Sequence, residues 1–349
     1  MAKILISSDW HLKFISPFDK ITESGTPSRL QEILDSINWT LTIAKETKAE
    51  YFLGLGDIFD SSDKLQTKES LAILNTFKQI KQQFSEKAIF IPGNHDQISS
   101  TQNILDFFSP LIKVFNSAGI LDIPNARLFF IPYIRETDKF YEKLDYFINF
   151  SDTPEKKYLF AHFWDSTVMS VDPDAIVLSE KHLNFFDRIF SGHFHVPTEN
   201  NENKLIYSGT LLNKRFNESG KKGCWLLDTK TNKLKFFENP HSPSFYNVTD
   251  EYIINNIENL DNNAYYKVSC DPLNVLTINK LLASVKGFEL LNKETKETNN
   301  TENLNFLTIE KKNTSTLKDF ILNNCNLFLP ENISLDEFKE RGKSYLSGL

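Results

Sequence analysis

The chain has 349 residues, of which 40% are apolar and 24% charged, the composition of a globular protein with room for one large and one smaller domain. Its formal net charge of −7 excludes a uniformly basic surface for binding nucleic acid, but not a local positive site. Three scattered cysteines without C-x-x-C spacing, and the lack of any apolar run as long as a signal peptide or membrane span, predict a soluble cytoplasmic protein without a membrane partner.

Short apolar runs alternate with longer amphipathic segments through the first two thirds of the chain. The order is "KILIS", the helical "PSRLQEILDSINWTLTIAKE", "YFLGLGD", the helical "TKESLAILNTFKQIKQQF" and "AIFIPGN". Further strand candidates are "RLFFIPY", "KYLFAHF", "RIFSGHF", "KLIYSGT", "GCWLLDT" and "KLKFFEN". Alternating strands and helices predict an α/β layered domain, and the short turns "ENNENK" and "DTKTNK" predict hairpins and therefore a mixed sheet.

The pattern breaks at two prolines in "FENPHSPSF", which predicts a domain boundary near residues 239–244. The segments "AYYKVSC", "DPLNVLTINKLLASVKG" and "FELLNK" then predict a strand–helix–strand unit. Its helix has Asp271 as N-cap, Pro272 at the first helical position and Gly287 just past the end. The polar "KETKETNNTENLN" predicts a flexible linker before two short amphipathic helices. We thus predict domains at 1–240 and 245–291, a linker at 292–313 and C-terminal helices at 314–349.

Five stretches, each following an apolar run, are rich in aspartate, asparagine and histidine. They are "SSDWH", "LGLGDIFD", "IPGNHDQ", "LFAHFWD" and "SGHFHVP", and they hold five of the seven histidines in the chain. Loops at the carboxyl ends of strands gather at one edge of an α/β sheet, so we expect these side chains to meet there. The candidate functional residues are Asp9, His11, Asp57, Asp60, Asn94, His95, His162, His193 and His195.

The residue types in these loops predict a metal site. Mixed carboxylate, imidazole and amide donors suit manganese, iron or zinc better than calcium or magnesium. An aspartate can bridge two cations, and two ions about 3.5–4 Å apart serve phosphoryl chemistry. Two dications with only two ligating aspartates leave the pocket positive inside an acidic protein. We therefore expect two divalent ions and a phosphate diester as substrate.

The motifs D-x-H, G-D-x-x-D, G-N-H-D, a lone histidine after a strand and G-H-x-H, in this order over residues 1–240, resemble those of the calcineurin-like metallophosphoesterases. The resemblance implies a layered sandwich of mixed sheets flanked by helices, here with a small α+β capping domain and C-terminal helices. It implies that one ion is held by Asp9, His11, Asp57 and His195. The other ion would be held by Asp57, Asn94, His162 and His193. His95, oriented by Asp60, would protonate the leaving oxygen while a hydroxide between the ions attacks phosphorus.

Within that family, "GDIFD", "SGHFH", "YSGT" and "GCWLLDTKT" resemble the nuclease subunits of SbcD-type double-strand-break repair complexes, and most of all the T-even phage recombination endonuclease subunit. The resemblance implies a manganese-dependent duplex exonuclease and single-strand endonuclease that acts on DNA as a homodimer. It also implies a coiled-coil ATPase partner of the SbcC type, bound by the C-terminal helices, and the host cytoplasm for a phage protein. Lys13 departs from the pattern, because relatives often carry glycine there.

Two other functions stay open at this point. A phosphatase of phosphoproteins or small molecules would use the same metal site, but phosphoprotein relatives carry arginine where this chain has Ser61 and Pro92. A non-catalytic subunit could use the pocket to bind DNA ends, although the complete ligand set disfavours this. Asp60 could also cap a helix, and the C-terminal helices could pack on their own domain.

The remaining residues near these motifs have structural interpretations. Asp96 is expected to be structural, and Trp10 and Trp164 are expected to pack rather than to stack on bases. The two histidines outside the motifs, His182 and His241, are expected to be solvated.

Overall fold

A computed structural model describes residues 2–13, 18–60, 67–99, 102–149, 156–166, 175–200, 204–216, 218 and 220–293. The chain divides into two units, one formed by Met1–Lys214 with Glu218–Ser242 and the other by Arg215–Asn217 with Pro243–Leu349. The predicted linker beyond residue 293 and the predicted C-terminal helices at 314–349 lie outside the described residues. Among the described residues, no helix combines the length and apolarity needed to cross a bilayer.

The described residues form fifteen strands and six α-helices. The strands are β1 (Lys3–Ser7), β2 (Tyr51–Leu55), β3 (Ala88–Ile91), β4 (Lys113–Val114), β5 (Gly119–Ile123), β6 (Ala126–Ile131), β7 (Lys156–His162), β8 (Arg188–Gly192), β9 (Thr198–Asn200), β10 (Leu205–Tyr207), β11 (Gly223–Asp228), β12 (Lys233–Glu238), β13 (Ser244–Thr249), β14 (Ala264–Cys270) and β15 (Gly287–Asn292). The helices are α1 (Ser28–Thr47), α2 (Thr67–Phe84), α3 (Thr137–Asn149), α4 (Glu180–Phe185), α5 (Asp250–Asn255) and α6 (Val275–Leu281).

Two six-stranded mixed sheets build the first unit. Their strand orders are β12-β11-β1-β2-β3-β4 and β5-β6-β7-β8-β10-β9. Strands β1 to β4 are parallel, while β11 and β12 form the antiparallel hairpin that "DTKTNK" predicted. In the second sheet, β6, β7, β8 and β10 are parallel, and β9 pairs antiparallel with β10, as expected for the predicted hairpin. The predicted mixed α/β architecture is confirmed.

The sheets pack face to face because their strands alternate buried apolar residues on both faces. In β1, Ile4 and Ile6 join a core between the sheets with Phe130 and Phe160 of the second sheet. Leu5 points to the opposite face, into a second core formed with α1 and α2. A third core lies between the second sheet and α3. The order of layers is helix, sheet, sheet, helix.

Helix α1 confirms the helix predicted from the periodicity of its apolar residues. Its apolar residues recur at helical spacing and are all buried against the first sheet, namely Leu30, Ile33, Leu34, Ile37 and Leu41. The helix ends where Lys48 takes the left-handed conformation, with φ of 56°, and its amide donates to the carbonyls of Ala44 and Lys45.

The second unit contains a three-stranded parallel sheet in the order β13-β14-β15, with α5 and α6. The predicted strand–helix–strand sequence is present as β14, α6 and β15. Asp271 caps the turn before α6, as predicted, by accepting a 2.9 Å hydrogen bond from the amide of Leu273. The prediction for Gly287 is wrong, because α6 already ends at Leu281 and Gly287 begins β15.

Replacing Phe90 with alanine tests the core between the first sheet and its helices. The ring is fully buried, and its centroid lies 5.5 Å from that of Trp10 and 5.8 Å from that of Phe77. We expect the free energy of unfolding to fall by about 3–5 kcal/mol in chemical denaturation. Leu71→Ala on α2, where the side chain is 58% exposed, is the control and should change it by under about 0.5 kcal/mol. Equal losses in both variants would contradict this assignment of the core.

Candidate metal centre

Five loops or strand ends at the carboxyl edge of the two sheets carry the predicted side chains. They are Asp9 and His11 after β1, Asp57 and Asp60 after β2, Asn94 and His95 after β3, His162 at the end of β7, and His193 and His195 after β8. Strands β1 to β3 are parallel neighbours in one sheet, and β7 and β8 are parallel neighbours in the other. Their carboxyl ends therefore coincide, and the structure brings all nine side chains together.

Main-chain hydrogen bonds join the loops from different strands. The amide of Asp9 donates to the carbonyl of Gly56, and the amide of His11 donates to that of Asp57, both at 2.9 Å. The amide of His193 donates to both carboxylate oxygens of Asp9, at 3.1 and 3.2 Å. The last contact ties a loop of the second sheet to a loop of the first.

Four of these residues have left-handed backbone conformations. The φ angles are 53° at Asp9, 46° at His11, 51° at Asp57 and 80° at His193. Residues other than glycine adopt such angles infrequently, although aspartate and histidine tolerate them better than most. Strained backbone of this kind concentrates at functional sites, where the surrounding structure enforces it.

Glycine is required where the loops come closest together. A Cβ at Gly93 would overlap the carboxylate and amide of Asp57 and would lie 2.8 Å from Cε1 of His162. A Cβ at Gly192 would overlap the carbonyl of Leu55 and would lie 2.7 Å from Nδ1 of His162. Any larger side chain at either position would displace Asp57 or His162.

Asp96 is a buried link between the loops that follow β2 and β3. Its Oδ1 accepts from the amide of Phe59 at 2.9 Å, and its Oδ2 accepts from the amides of Ile58 at 3.2 Å and Gly93 at 2.9 Å. The side chain is completely buried. These contacts agree with the structural role expected for Asp96, because it fixes the main chain on either side of the proposed ligands.

One group of donor atoms forms around His11. Its Nε2 lies 3.1 Å from Nε2 of His195 and 3.8 Å from Oδ2 of Asp57. Nε2 of His195 also lies 3.9 Å from Oδ1 of Asp9. Four side chains from three loops thus supply nitrogen or oxygen atoms around His11.

A second group forms around Asn94. Its Oδ1 lies 2.9 Å from Nδ1 of His193 and 3.2 Å from Nε2 of His162. Nε2 of His162 lies 3.5 Å from Oδ1 of Asp57. Asp57 therefore presents one carboxylate oxygen to each group.

The spacing of these atoms fits divalent cations. Two atoms each bound about 2.1 Å from one ion, at tetrahedral or octahedral angles, lie about 3.0–3.4 Å apart. The aspartates and histidines form three overlapping groups, and within each group the donor atoms lie within 4.8 Å of one another. The groups are Asp9–His11–His195, His11–Asp57–His95 and Asp57–His162–His193. Several imidazole nitrogens face each other at hydrogen-bond distance, an arrangement that a shared cation stabilises without requiring a proton between them.

Contacts on the outer side of the histidine rings orient the inner nitrogens. Nδ1 of His162 donates to the carbonyl of Leu55 at 2.7 Å, so its Nε2 is the atom left for an ion. Metal-binding histidines commonly have such an acceptor on the outer nitrogen. Nε2 of His11 also faces inward, whereas its Nδ1 lies 3.5 Å from Oδ1 of Asp60 without a hydrogen bond to it.

His95 lies at the exposed edge of the site. Its Nδ1 donates to the main-chain carbonyl of Asp60 at 2.8 Å, and its amide donates to Oδ1 of Asp57 at 2.9 Å. The Asp60 carboxylate is near His11 instead and pairs with Nζ of Lys13 at 2.8 Å. Asp60 thus contacts His95 through its main chain, whereas its side chain is directed at His11.

Burial and neighbouring charges shift the pKa values of these histidines in different directions. Burial and the charge of Lys214 lower the pKa of His11 to about 3, and burial and His162 lower the pKa of His193 to about 4. Burial also opposes the charged form of His162, but the carboxylate of Asp57 outweighs it and raises its pKa to about 9. His11 and His193 are therefore neutral at pH 7, the form that binds metal, and His162 holds a proton that a bound cation would replace.

Three side chains that the sequence analysis did not single out also contact the site. They are Lys214, Glu218 and Lys222, between β10 and β11. Glu218 Oε1 lies 3.3 Å from Nδ1 of His195, and Nζ of Lys214 donates to the carbonyl of Asp9 at 2.6 Å. The signal that could have identified them is the charged run "NKRFNESGKKG" between two buried strands.

The other aromatic and histidine predictions have mixed outcomes. Trp10 is 1% exposed and packs on neighbouring phenylalanines, which confirms its packing role. Trp164 contacts the ring of His193 edge-on, with centroids 5.0 Å apart. His241 is exposed as expected. The prediction for His182 is wrong, because it is buried and its Nε2 lies 3.1 Å from Oδ1 of Asp145.

Comparison with known proteins gives one family match and several distant relatives. A family model described as calcineurin-like phosphoesterase matches residues 2–197, which include all five motifs. The chain is 24% identical over 246 residues to the probable exonuclease subunit 1 of Escherichia phage T5, covering 68% of this chain and 69% of that protein. It is 23% identical over 257 residues to exonuclease subunit 1 of Enterobacteria phage T4, covering 68% of each.

Solved structures with distant similarity include one vertebrate and one bacterial protein. A dimetal phosphatase from Danio rerio matches with a TM-score of 0.43 and 12% identity, over 64% of this chain and 91% of that one. The protein TT1561 of Thermus thermophilus matches with a TM-score of 0.42 and 11% identity, over 68% of this chain and 98% of that one.

Replacing Asp96 with alanine tests the link between the loops. The change leaves three buried amides without an acceptor, so we expect the free energy of unfolding to fall by about 3 kcal/mol or more in chemical denaturation. The control is Asp122→Ala, which removes an exposed carboxylate paired with Arg127 and should change it by under about 1 kcal/mol. A loss no larger than that of the control would show that Asp96 does not hold the loops.

Proposed function

This chain belongs to the calcineurin-like phosphoesterases, and from that premise we propose that it is a metal-dependent DNA nuclease subunit of a recombination or repair complex. The family indicates a hydrolytic enzyme that acts on phosphoesters. The observation that carries the proposal is the position of Asp57, whose two carboxylate oxygens face two separate groups of donor atoms. A shared carboxylate between two cation sites is the arrangement of two-metal phosphoester hydrolysis.

The proposed ligands follow the two donor groups, with Asp57 in both. One ion would be held by Asp9, His11, Asp57 and His195. The other would be held by Asp57, Asn94, His162 and His193. Imidazole, carboxylate and amide donors together suit Mn²⁺, which we propose as the metal.

Two such cations supply Lewis-acid stabilisation of charge on the phosphoester and an activated water as nucleophile. His95 is proposed to protonate the leaving oxygen. Its Nδ1 is engaged by the carbonyl of Asp60, so its Nε2 is the atom left to carry a proton to the substrate. Asp60 orients His95 through this carbonyl and orients His11 through its carboxylate.

Exposure of the site supports a polymeric substrate. Asp9, His11, Asp57 and His162 are buried, whereas Asn94, His193 and His195 are partly exposed and His95 is exposed. The donor groups are thus open on the side of His95, where a phosphate within a long backbone can approach. Two dications beside two aspartates leave a net positive charge that attracts a phosphodiester. The T5 and T4 relatives, named exonuclease subunits, favour DNA over other diesters.

The proposed partners are inferred from the names of the same relatives. Because those proteins are named as subunits, we propose that this chain works in a complex with an SbcC-type coiled-coil ATPase and as a homodimer, acting as duplex exonuclease and single-strand endonuclease. In this proposal the segment 314–349 binds the ATPase, and residues 1–240 and 245–291 are the nuclease and capping domains. Isolation of the chain from its native cells should recover the ATPase with it.

Replacing His95 with alanine tests the proposed proton donor. We expect Mn²⁺-dependent degradation of linear duplex DNA to slow by about 10²–10⁴-fold, because the leaving oxygen loses its acid. The Mn²⁺ content, measured by elemental analysis of the purified protein, should not change. His241→Ala, at an exposed histidine outside the site, should retain full activity.

The same assay separates the alternative functions. Activity on a chromogenic phosphate diester and on DNA, with little on a monoester, is expected for the nuclease. Hydrolysis of the monoester with none of DNA would make the protein a phosphatase instead. Full nuclease activity in the His95 variant would exclude His95 as the acid, and bound Mn²⁺ without turnover, even with the ATPase present, would indicate a DNA-binding subunit.

A further inference from the structure

We infer that Glu218 is a positioning residue that fixes the tautomer of His195 and so directs its Nε2 to the ion proposed to lie beside Asp9 and His11. The inference rests on the metal-binding role proposed for His195. It concerns a segment between β10 and β11, outside the five motifs that supply the ligands.

The contact between Glu218 and His195 determines where the imidazole proton lies. Oε1 of Glu218 is 3.3 Å from Nδ1 of His195, and the Glu218 side chain is 11% exposed. An ionised carboxylate accepts hydrogen bonds and does not donate them, so Nδ1 carries the hydrogen. The lone pair of the neutral ring is then on Nε2, which faces Nε2 of His11 at 3.1 Å.

The second carboxylate oxygen of Glu218 contacts two lysines. Oε2 accepts from the main-chain amide of Lys214 at 3.0 Å and lies 3.4 Å from Nζ of Lys222, whose side chain is fully buried. Nζ of Lys222 also donates to the carbonyl of His195 at 2.9 Å, and Nζ of Lys214 donates to the carbonyl of Asp9. These contacts fix the main chain at Asp9 and His195, two proposed ligands of the same ion.

His162 of the same site has this arrangement. Its Nδ1 donates to the carbonyl of Leu55 at 2.7 Å, so that its Nε2 points inward. Nε2 of His195 also points inward, and Glu218 supplies the outer acceptor of that ring.

The substitution Glu218→Gln distinguishes this role from that of an ordinary ion pair. The side chain keeps its shape, but only one of its two terminal atoms accepts hydrogen bonds. The Lys214 amide and the Lys222 ammonium are both donors, so they retain the amide oxygen. The NH₂ group then faces Nδ1 of His195, which must accept, and the ring proton moves to Nε2, where it blocks the ion.

The experiment is NMR of the metal-free chain with ¹⁵N-labelled histidine, at about pH 8.5, above the ordinary pKa of histidine. Long-range proton–nitrogen correlations distinguish the two neutral tautomers, and His195→Asn identifies the His195 signals. We expect the Nδ1–H form in the wild-type chain and the Nε2–H form in Glu218→Gln. Glu238→Gln, which changes a carboxylate paired with Lys221 at 3.2 Å, should retain the wild-type form.

Manganese titration of the same proteins provides the second measurement. In Glu218→Gln, one of two Mn²⁺ ions should bind about 10–100-fold more weakly, whereas the other should bind as in the wild type. An Nε2–H tautomer in the wild-type chain, or an unchanged tautomer in a folded Glu218→Gln chain, would overturn the inference. A wild-type chain that binds no Mn²⁺ would overturn the proposed function instead, while the tautomer measurement would still decide the role of Glu218.

Discussion

The carboxylate of Asp57 is the contact on which the organisation of the site depends. It lies between the donor group of His11 and the donor group of His162, and each group combines side chains from both sheets. The two groups can share it only if the carboxyl ends of both sheets meet at the same edge. The apolar core between the sheets, from Ile4 to Phe160, therefore determines the distance across which the proposed metal pair is assembled. Fold stability and the chemistry of the site are coupled through this one packing arrangement.

Much of the first unit could be predicted because its sequence patterns are local. The periodicity of α1 and the buried runs of β1 to β3 each indicate one element without knowledge of the rest of the chain. Elements whose sequence fits more than one kind of structure could not be predicted in the same way. The strand β13 begins at Ser244, directly after the prolines that indicated a boundary, and Gly287 is a glycine that fits a helix end as well as the strand that it begins.

The meeting of the proposed ligand side chains could be predicted, because parallel strands place their carboxyl ends at the same edge of a sheet. The contacts on the outer nitrogens of the histidine rings could not be predicted. The partners of His162 and His95 are main-chain carbonyls, which any residue type supplies, and Glu218 reaches His195 from a segment 23 positions away. The burial of His182 could not be predicted either, because the polar residues around it in the sequence do not indicate its contact with Asp145. Such pairings arise only from tertiary structure.

The left-handed backbone at Asp9 and Asp57 affects how inactive forms of this protein should be made for crystallography or substrate trapping. Asparagine keeps the outline of aspartate and accepts φ near 50°, so Asp57→Asn would remove charge while preserving the loop. A β-branched residue such as valine would force the main chain to rearrange as well. A complex trapped with asparagine would therefore preserve the native pocket around a bound phosphoester, whereas one obtained with a bulkier replacement would have a different pocket.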